Sequence, residues 1–313
     1  MQKRGVLMKL LTLLLVGTLV FGAVDRTLPY PIKIDAEEVA KQVYFVNHQF
    51  YLNNQLIKAQ GISSVLVVKR AAGKKPRVLR AERYLNNDYS DGVTKSKDLI
   101  VFLSGNLQGT GLLLREFVDE QKSLEVLMWL PALRKVRRMA EPSKNIGYSA
   151  ADVAFVEEAK LRRLSEDNYE IMQKSTIDFE FGQMQLKDSE KDRFTKILPQ
   201  DKVTLQAEVY LLKAIPKEAA WYDYRLDYVD VKHFTVYRSD FYKENEIIKR
   251  IDRQWSKVAG IDDPRAYMWN YWYSITPETK FETLNYIPLN IIQINNKIIN
   301  PSFWSESTLH KLK

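Results

Sequence analysis

The chain has 313 residues, a formal net charge of +8 and no cysteine. That length can bury one large core, or two at most. The lack of thiols excludes disulfides, thiolate metal sites and a diacylglyceryl anchor carried on cysteine.

Lys3, Arg4 and Lys9 precede an apolar run from Leu10 to Phe21, which is short for a membrane span. Gly22 and Ala23 follow, so a signal peptide is expected over residues 1–22, cleaved beside one of these small residues. An uncleaved anchor is the alternative. Removing the three cations takes the net charge from +8 to +5, because residues 1–22 hold no acid. The remaining basic residues interleave with acids, which suits an anionic lipid surface and gives no nucleic-acid stripe. No later segment approaches 18 uninterrupted apolar residues.

The first element after the leader is expected to be a helix. Asp35 can cap it, with Glu38 three residues on, and Ala36, Val39, Ala40, Val43 and Asn47 follow helical spacing. The period then changes to two. Strands are expected over 64–69, 77–85, 99–104, 110–118, 123–130, 172–181, 205–215, 224–229, 234–241, 247–255, 267–275 and 280–286. Turn-like clusters separate them, such as Ala72-Gly73-Lys74-Lys75-Pro76 and Lys243-Glu244-Asn245-Glu246. About a dozen closely spaced strands with few helices predict an antiparallel sheet. Alternation places Leu205, Ala207, Val209 and Leu211 on one face, and Tyr267, Trp269, Tyr271 and Tyr273 on one face. An apolar face needs a cover, for which the first helix, 149–164 and 301–312 are candidates; a leftover apolar cavity is the expected consequence.

Catalytic chemistry is hard to find. His48, His233 and His310 are far apart and read as packing or solvated side chains. Gly147-Tyr148-Ser149-Ala150-Ala151 lacks the closing glycine of a nucleophile elbow. Gly109-Thr110-Gly111 leads into a strand and has no phosphate-loop lysine. Glu157-Glu158 and Asp262-Asp263 are sequence neighbours that point differently. No catalytic residue, metal ligand or cofactor is expected.

Two features remain open in reading. Arg134, Lys135, Arg137 and Arg138 form either a charged edge strand or loop that blocks aggregation, or a contact for head groups or an acidic partner. On a strand, Arg134 and Arg138 would face one way, Lys135 and Arg137 the other. The aromatic stretch from Tyr267 to Tyr273 is either core or the lining of an amphiphile site.

The segment Leu127-Met128-Trp129-Leu130-Pro131-Ala132-Leu133-Arg134-Lys135-Val136-Arg137-Arg138 resembles the LolA-like outer-membrane lipoprotein-sorting proteins, in which a strand leads to Leu-Pro-Ala-Leu and a basic run. Ser143, Gly147, Tyr148, Asp152 and Phe155 stand in a similar order to the family's next motif, with two residues between the aspartate and the phenylalanine. Residues 109–114 resemble its small-residue strand start, 209–217 and 237–242 its central hairpin, and 303–309 its closing helix. The resemblance covers nearly all of 23–313 and implies a single domain there. It implies a mainly β (α+β) half-barrel of 11–12 antiparallel strands, curved, with helices plugging the concave face. It also implies a periplasmic location, a cavity for acyl chains, and for many members an inner-membrane exporter of the resistance-nodulation-division (RND) type as partner.

The expected function is therefore a non-enzymatic periplasmic carrier that moves a lipid or lipoprotein cargo to an outer-membrane acceptor. Trp129, Val209, Leu211, Trp269 and Tyr271 are the expected cavity or core contributors. Arg134, Lys135, Arg137 and Arg138 are the expected head-group or partner contacts. A lipid or lipoprotein sensor, and a docking subunit of an RND-type system with a filled core, are the alternatives.

Overall fold

A computed structural model describes residues 27–139 and 163–311. The expected leader, the motif at 143–155, the serine and acidic pairs at 147–158 and nearly all of the expected helix at 149–164 lie outside the described residues.

Helix α1 (Ala36–Asn47) starts where its cap predicts: the Asp35 carboxylate accepts from the Glu38 amide at 2.9 Å. Fifteen strands follow: β1 (Asn54–Ile57), β2 (Val65–Arg70), β3 (Arg77–Asn86), β4 (Thr94–Phe102), β5 (Gly111–Phe117), β6 (Glu125–Leu130), β7 (Lys135–Met139), β8 (Asp167–Glu180), β9 (Thr204–Pro216), β10 (Tyr224–Asp230), β11 (Val236–Lys243), β12 (Glu246–Lys257), β13 (Tyr267–Thr276), β14 (Phe281–Tyr286) and β15 (Ile292–Ile294). A short helix α2 (Glu306–Leu309) ends the described chain. All twelve expected strands are present. The basic run supplies β7, while β1 and β15 are too short for alternation to reveal.

All strands join one antiparallel sheet in the order β7-β6-β5-β4-β3-β2-β14-β13-β12-β11-β10-β9-β8, with β1 bridging β3 and β15 beside that path. Two meanders, β2 to β7 and β8 to β14, are joined by the β2–β14 pair. The two edges, β7 and β8, are thus neighbours in sequence. Strand twist accumulates over so many strands, and bulges add bends, giving a curved, open half-barrel.

Helix α1 covers one face. Val39, Ala40, Phe45 and Val46 bury against Leu212, Val229, Phe234 and Val236. The C-terminal stretch, expected as another plug of that face, covers the other one. Ile100 and Leu114 face the α1 side, so Leu99 and Leu113 face away by strand alternation, and these meet Trp304 and Leu309. The Trp304 indole N–H donates to the Tyr84 carbonyl at 2.7 Å, which fixes the tail there. A second outer cover is the connection after β8, whose Met184 and Leu198 pack on Leu66, Val68, Tyr271, Tyr273 and Leu284.

A bulge revises one expected face. On β13, Gln254 pairs with Tyr271 and Trp255 with Trp269, leaving Asn270 as the extra residue. Trp269 therefore packs beside Trp272 on the α1 side, while Tyr271 and Tyr273 lie on the outer side. On β8, Met172 is the extra residue between the pairs Ile171–Leu212 and Gln173–Leu211. Strand β9 keeps its alternation past that bulge: Leu212 joins the core under α1, while Val209 and Leu211 face the other side, Val209 buried and Leu211 half-buried. The two segments expected as a central hairpin fall on β9 and β11, with β10 between them.

Candidate functional site

A hollow lies between α1 and the sheet. Ala40, Val43, Tyr44 and Asn47 of α1 form its roof. Leu212, Val236 and Phe241 supply apolar floor, and Arg225, Asp227, Ser239 and Arg253 supply a polar one. The hollow has a volume of about 90 Å³. Small-molecule pockets usually enclose roughly 300–1,000 Å³, so no acyl chain fits while α1 stays in place.

The floor is ionic, unlike the apolar cavity expected. Arg225 donates to Asp227 at 2.8 Å, Ser239 Oγ donates to Asp227 at 2.6 Å, and Arg253 donates to Ser239 Oγ at 3.0 Å. Burial opposes the charge on Arg225, but Asp227, Tyr222 and Asp167 together outweigh it and hold the guanidinium well above its usual pKa.

A second, smaller hollow of about 20 Å³ lies past Asn47, lined by His48, Arg83, Asp98, Leu114, Glu116 and Trp269. Here α1 is tied to the sheet by charge. His48 at the helix end donates from Nδ1 to the Tyr44 carbonyl at 3.0 Å and turns Nε2 to Glu116 at 3.5 Å. Lys95 reaches Glu116 at 3.1 Å and lies 4.4 Å above the Tyr44 ring. Burial works against the Glu116 carboxylate, yet Lys95 first and His48 second outweigh it and hold its pKa at about 2. For Asp98 burial wins over the Arg83 partner at 2.7 Å, and its pKa is raised.

The helix is tied at its other flank too. Arg265 donates to Gln42 at 2.7 Å, stacks 4.0 Å from the Phe45 ring and pairs with Asp263 at 2.7 Å. At the rim, the chain entering the β8 edge meets the β5–β6 connection near the opposite edge. Arg163 donates to the Lys122 carbonyl at 2.6 Å, and Ser165 donates to Glu120. Leu164 between them lines the first hollow.

The expected site residues separate into three places. Trp269 lies on the α1 side, while Val209 and Leu211 lie on the outer face, opposite in parity to Leu212. Trp129 and Tyr271 lie on the outer face, Trp129 under the C-terminal tail with His310 against its ring at 5.4 Å. The basic residues stand at the β7 edge, all exposed. Arg134 occupies a left-handed turn (φ 49°) before the strand, so Lys135 and Arg137 share one face, and Arg138 lies on the other, paired with Glu125 at 2.5 Å. Sequence reading missed the ionic floor, because its members come from three strands and alternation marks them only as polar. The histidines stand apart: His233 rests 4.3 Å from the Tyr267 ring, far from His48 and His310 in the fold. Among the described residues no group of three or more His, Asp or Glu can hold a metal, and no helix is long and apolar enough to cross a membrane.

An open curved sheet with a helix laid over its inner side defines the class: a LolA-like fold. Solved structures bear this out. A DUF1329 family protein from Desulfovibrio piger superposes with a TM-score of 0.63 at 15% identity, over 88% of this chain and 100% of that one. A domain assigned to outer membrane lipoprotein sorting from Vibrio parahaemolyticus gives 0.59 at 12% identity, over 88% and 98%. A LolA superfamily protein from Nitrosomonas europaea gives 0.51 at 10% identity, over 88% and 100%. No protein-family model matches the chain, and no curated protein matches it in sequence. The likeness establishes a shared fold.

Proposed function

We propose that the protein is an exported, periplasmic carrier that holds the acyl part of a lipid or lipoprotein between α1 and the sheet. The observation that carries this reading is the seating of α1. It meets the sheet only through side chains, roofs an otherwise open half-barrel, and leaves a hollow of about 90 Å³ beneath it. Displacing the helix uncovers Val39, Ala40, Phe45 and Val46 together with Leu212 and Val236. Burying those four helix side chains is worth roughly 8 kcal/mol, and each buried methylene returns about 0.8 kcal/mol, so about ten methylenes match the exchange. A long acyl chain can therefore replace the helix where a short one does not. The ionic floor gives the polar part of a cargo a place to stop. The likeness to a lipoprotein-sorting domain supports the same reading. Trp269 then serves as a cavity wall, Trp129, Val209 and Tyr271 as core, and the β7 cations as head-group or partner contacts.

A second reading is favoured by the small volume itself. A protein whose interior is filled by its own helix suits a docking or sensing subunit. Native mass spectrometry of the protein taken from the periplasm without detergent decides between them. A stoichiometric adduct that extracts as lipid or acylated peptide supports the carrier. A clean apo mass, with no uptake of long-chain acyl probes, moves the assignment to docking.

A further inference from the structure

Three successive hairpin connections meet at one end of the sheet: residues 71–76 between β2 and β3, 103–110 between β4 and β5, and 131–134 between β6 and β7. The register places them side by side. Lys69 pairs with Arg77, Ala81 with Phe102, Val101 with Gly111, and Leu130 with Lys135. With strands about 4.8 Å apart, the three tips form a row at intervals of about 10 Å.

Their chemistry is one-sided. The first connection and the residue after it carry Lys74, Lys75 and Arg77; the third carries Arg134 and leads into Lys135. None of the three connections contains an acid. All five cations are exposed, and none forms an ion pair with a described residue. Between and beside them project two leucines, Leu107 at 41% exposure and Leu133 at 53%. Gly109, at φ +78°, lets the second tip lie against the third: a Cβ there would be 3.3 Å from Pro131 Cγ. The opposite end of the same strands is acidic, with Asp88 and Asp91 after β3 and Asp119 and Glu120 after β5. This half of the molecule thus has a cationic, leucine-tipped end and an anionic one.

We propose that the cationic end docks on an anionic lipid bilayer, with Leu107 and Leu133 entering the head-group layer and the five cations meeting lipid phosphates. Apolar side chains set among cations match the boundary between phosphate and acyl layers. The purpose of docking rests on the carrier reading, since it names the surface where cargo changes hands. The contact itself is measured without cargo.

The test is vesicle flotation of the protein recovered from the periplasm, using phosphatidylglycerol–phosphatidylcholine vesicles against pure phosphatidylcholine. Parent and variants share the same N-terminus, so their difference reports the tips. The parent floats with the anionic vesicles, and added salt weakens this. Combined Lys74→Glu, Lys75→Glu, Arg134→Glu and Lys135→Glu lowers partitioning by at least about a hundredfold. Leu107→Ser with Leu133→Ser lowers it by about tenfold. Circular dichroism and thermal melts show that these surface variants fold. A parent that ignores anionic vesicles, or a folded fourfold variant that floats as the parent does, overturns the proposal. Uptake of a fatty acyl probe in vesicle-free solution is measured on the same samples. Flotation without probe uptake supports docking while removing the carrier reading.

Discussion

Trp269 and Tyr271 are next-but-one neighbours on β13, and the unpaired Asn270 between them sends their rings to opposite faces of the sheet. One ring borders the hollow under α1, and the other is locked beneath the connection after β8. Substitutions should separate accordingly. Tyr271→Ala is expected to cost about 3–5 kcal/mol in urea unfolding and to leave acyl-probe affinity unchanged. Trp269→Leu is expected to cost less and to weaken probe binding. The reverse pattern would remove Trp269 from the cavity wall.

Gly182 tests the outer cover. A Cβ at this position would lie 2.4 Å from Tyr273 Cδ1 and 3.1 Å from Asp252 Oδ2, and the Gly182 amide already donates to Asp252 at 2.6 Å. The Asp252 carboxylate is also held by Arg238 at 2.6 Å, so neither neighbour can withdraw freely. Gly182→Ala is expected to destabilise the fold by about 1–3 kcal/mol. A melting temperature equal to the parent's would show that the segment is only loosely seated.

Acid stability has a worked sign. Glu116 titrates at about 2 in the folded protein, below the usual carboxylate value of 4.5. Its contribution is present above the unfolded value and is lost as pH falls from about 4.5 to about 2. Asp98 acts oppositely, since its raised pKa means that acidification favours the folded state there. Glu116→Gln is therefore expected to flatten the acid limb of a stability-versus-pH curve, and Asp98→Asn to steepen it. Chemical denaturation between pH 2 and pH 6 reads both, and an unchanged limb in Glu116→Gln would contradict the role given to the His48–Glu116–Lys95 contact.

If α1 yields to cargo, its amides should respond before the sheet does. A saturating long-chain acyl probe is expected to speed hydrogen exchange across Ala36–Asn47 while β12 and β13 stay protected. Asp35→Ala removes the helix cap at a cost of about 1 kcal/mol, which raises the open fraction and the apparent probe affinity by about fivefold. Slower exchange in α1 on probe addition would place the ligand elsewhere.

Much of this fold is legible along the chain because its information is local. Asp35 and Glu38 mark a helix start with no tertiary help, and period-two alternation between turn clusters marks twelve strands. The resemblance carried by residues 127–138 points to the half-barrel, and β7 falls on its basic run. What failed was parity. Inserting Asn270 into β13 exchanges every side chain beyond it between the faces, and nothing in composition announces a bulge. The C-terminal tail went to the other face for a related reason: Trp304 and Leu309 suit either apolar side, and the hydrogen bond to Tyr84 exists only on one.

The sequence by itself determined the architecture, since capping and alternation act within a few residues. It also determined where the cations stand, because a run such as Arg134 to Arg138 is costly to bury anywhere. Only the tertiary structure decided what lies under α1. The ionic floor gathers Asp227, Ser239 and Arg253 from separate strands, and Glu116 meets Lys95 and His48 across elements distant in sequence. Such pairs become strong when burial removes water from both partners at once, a condition that arises only after the sheet has curved and the helix has closed over it.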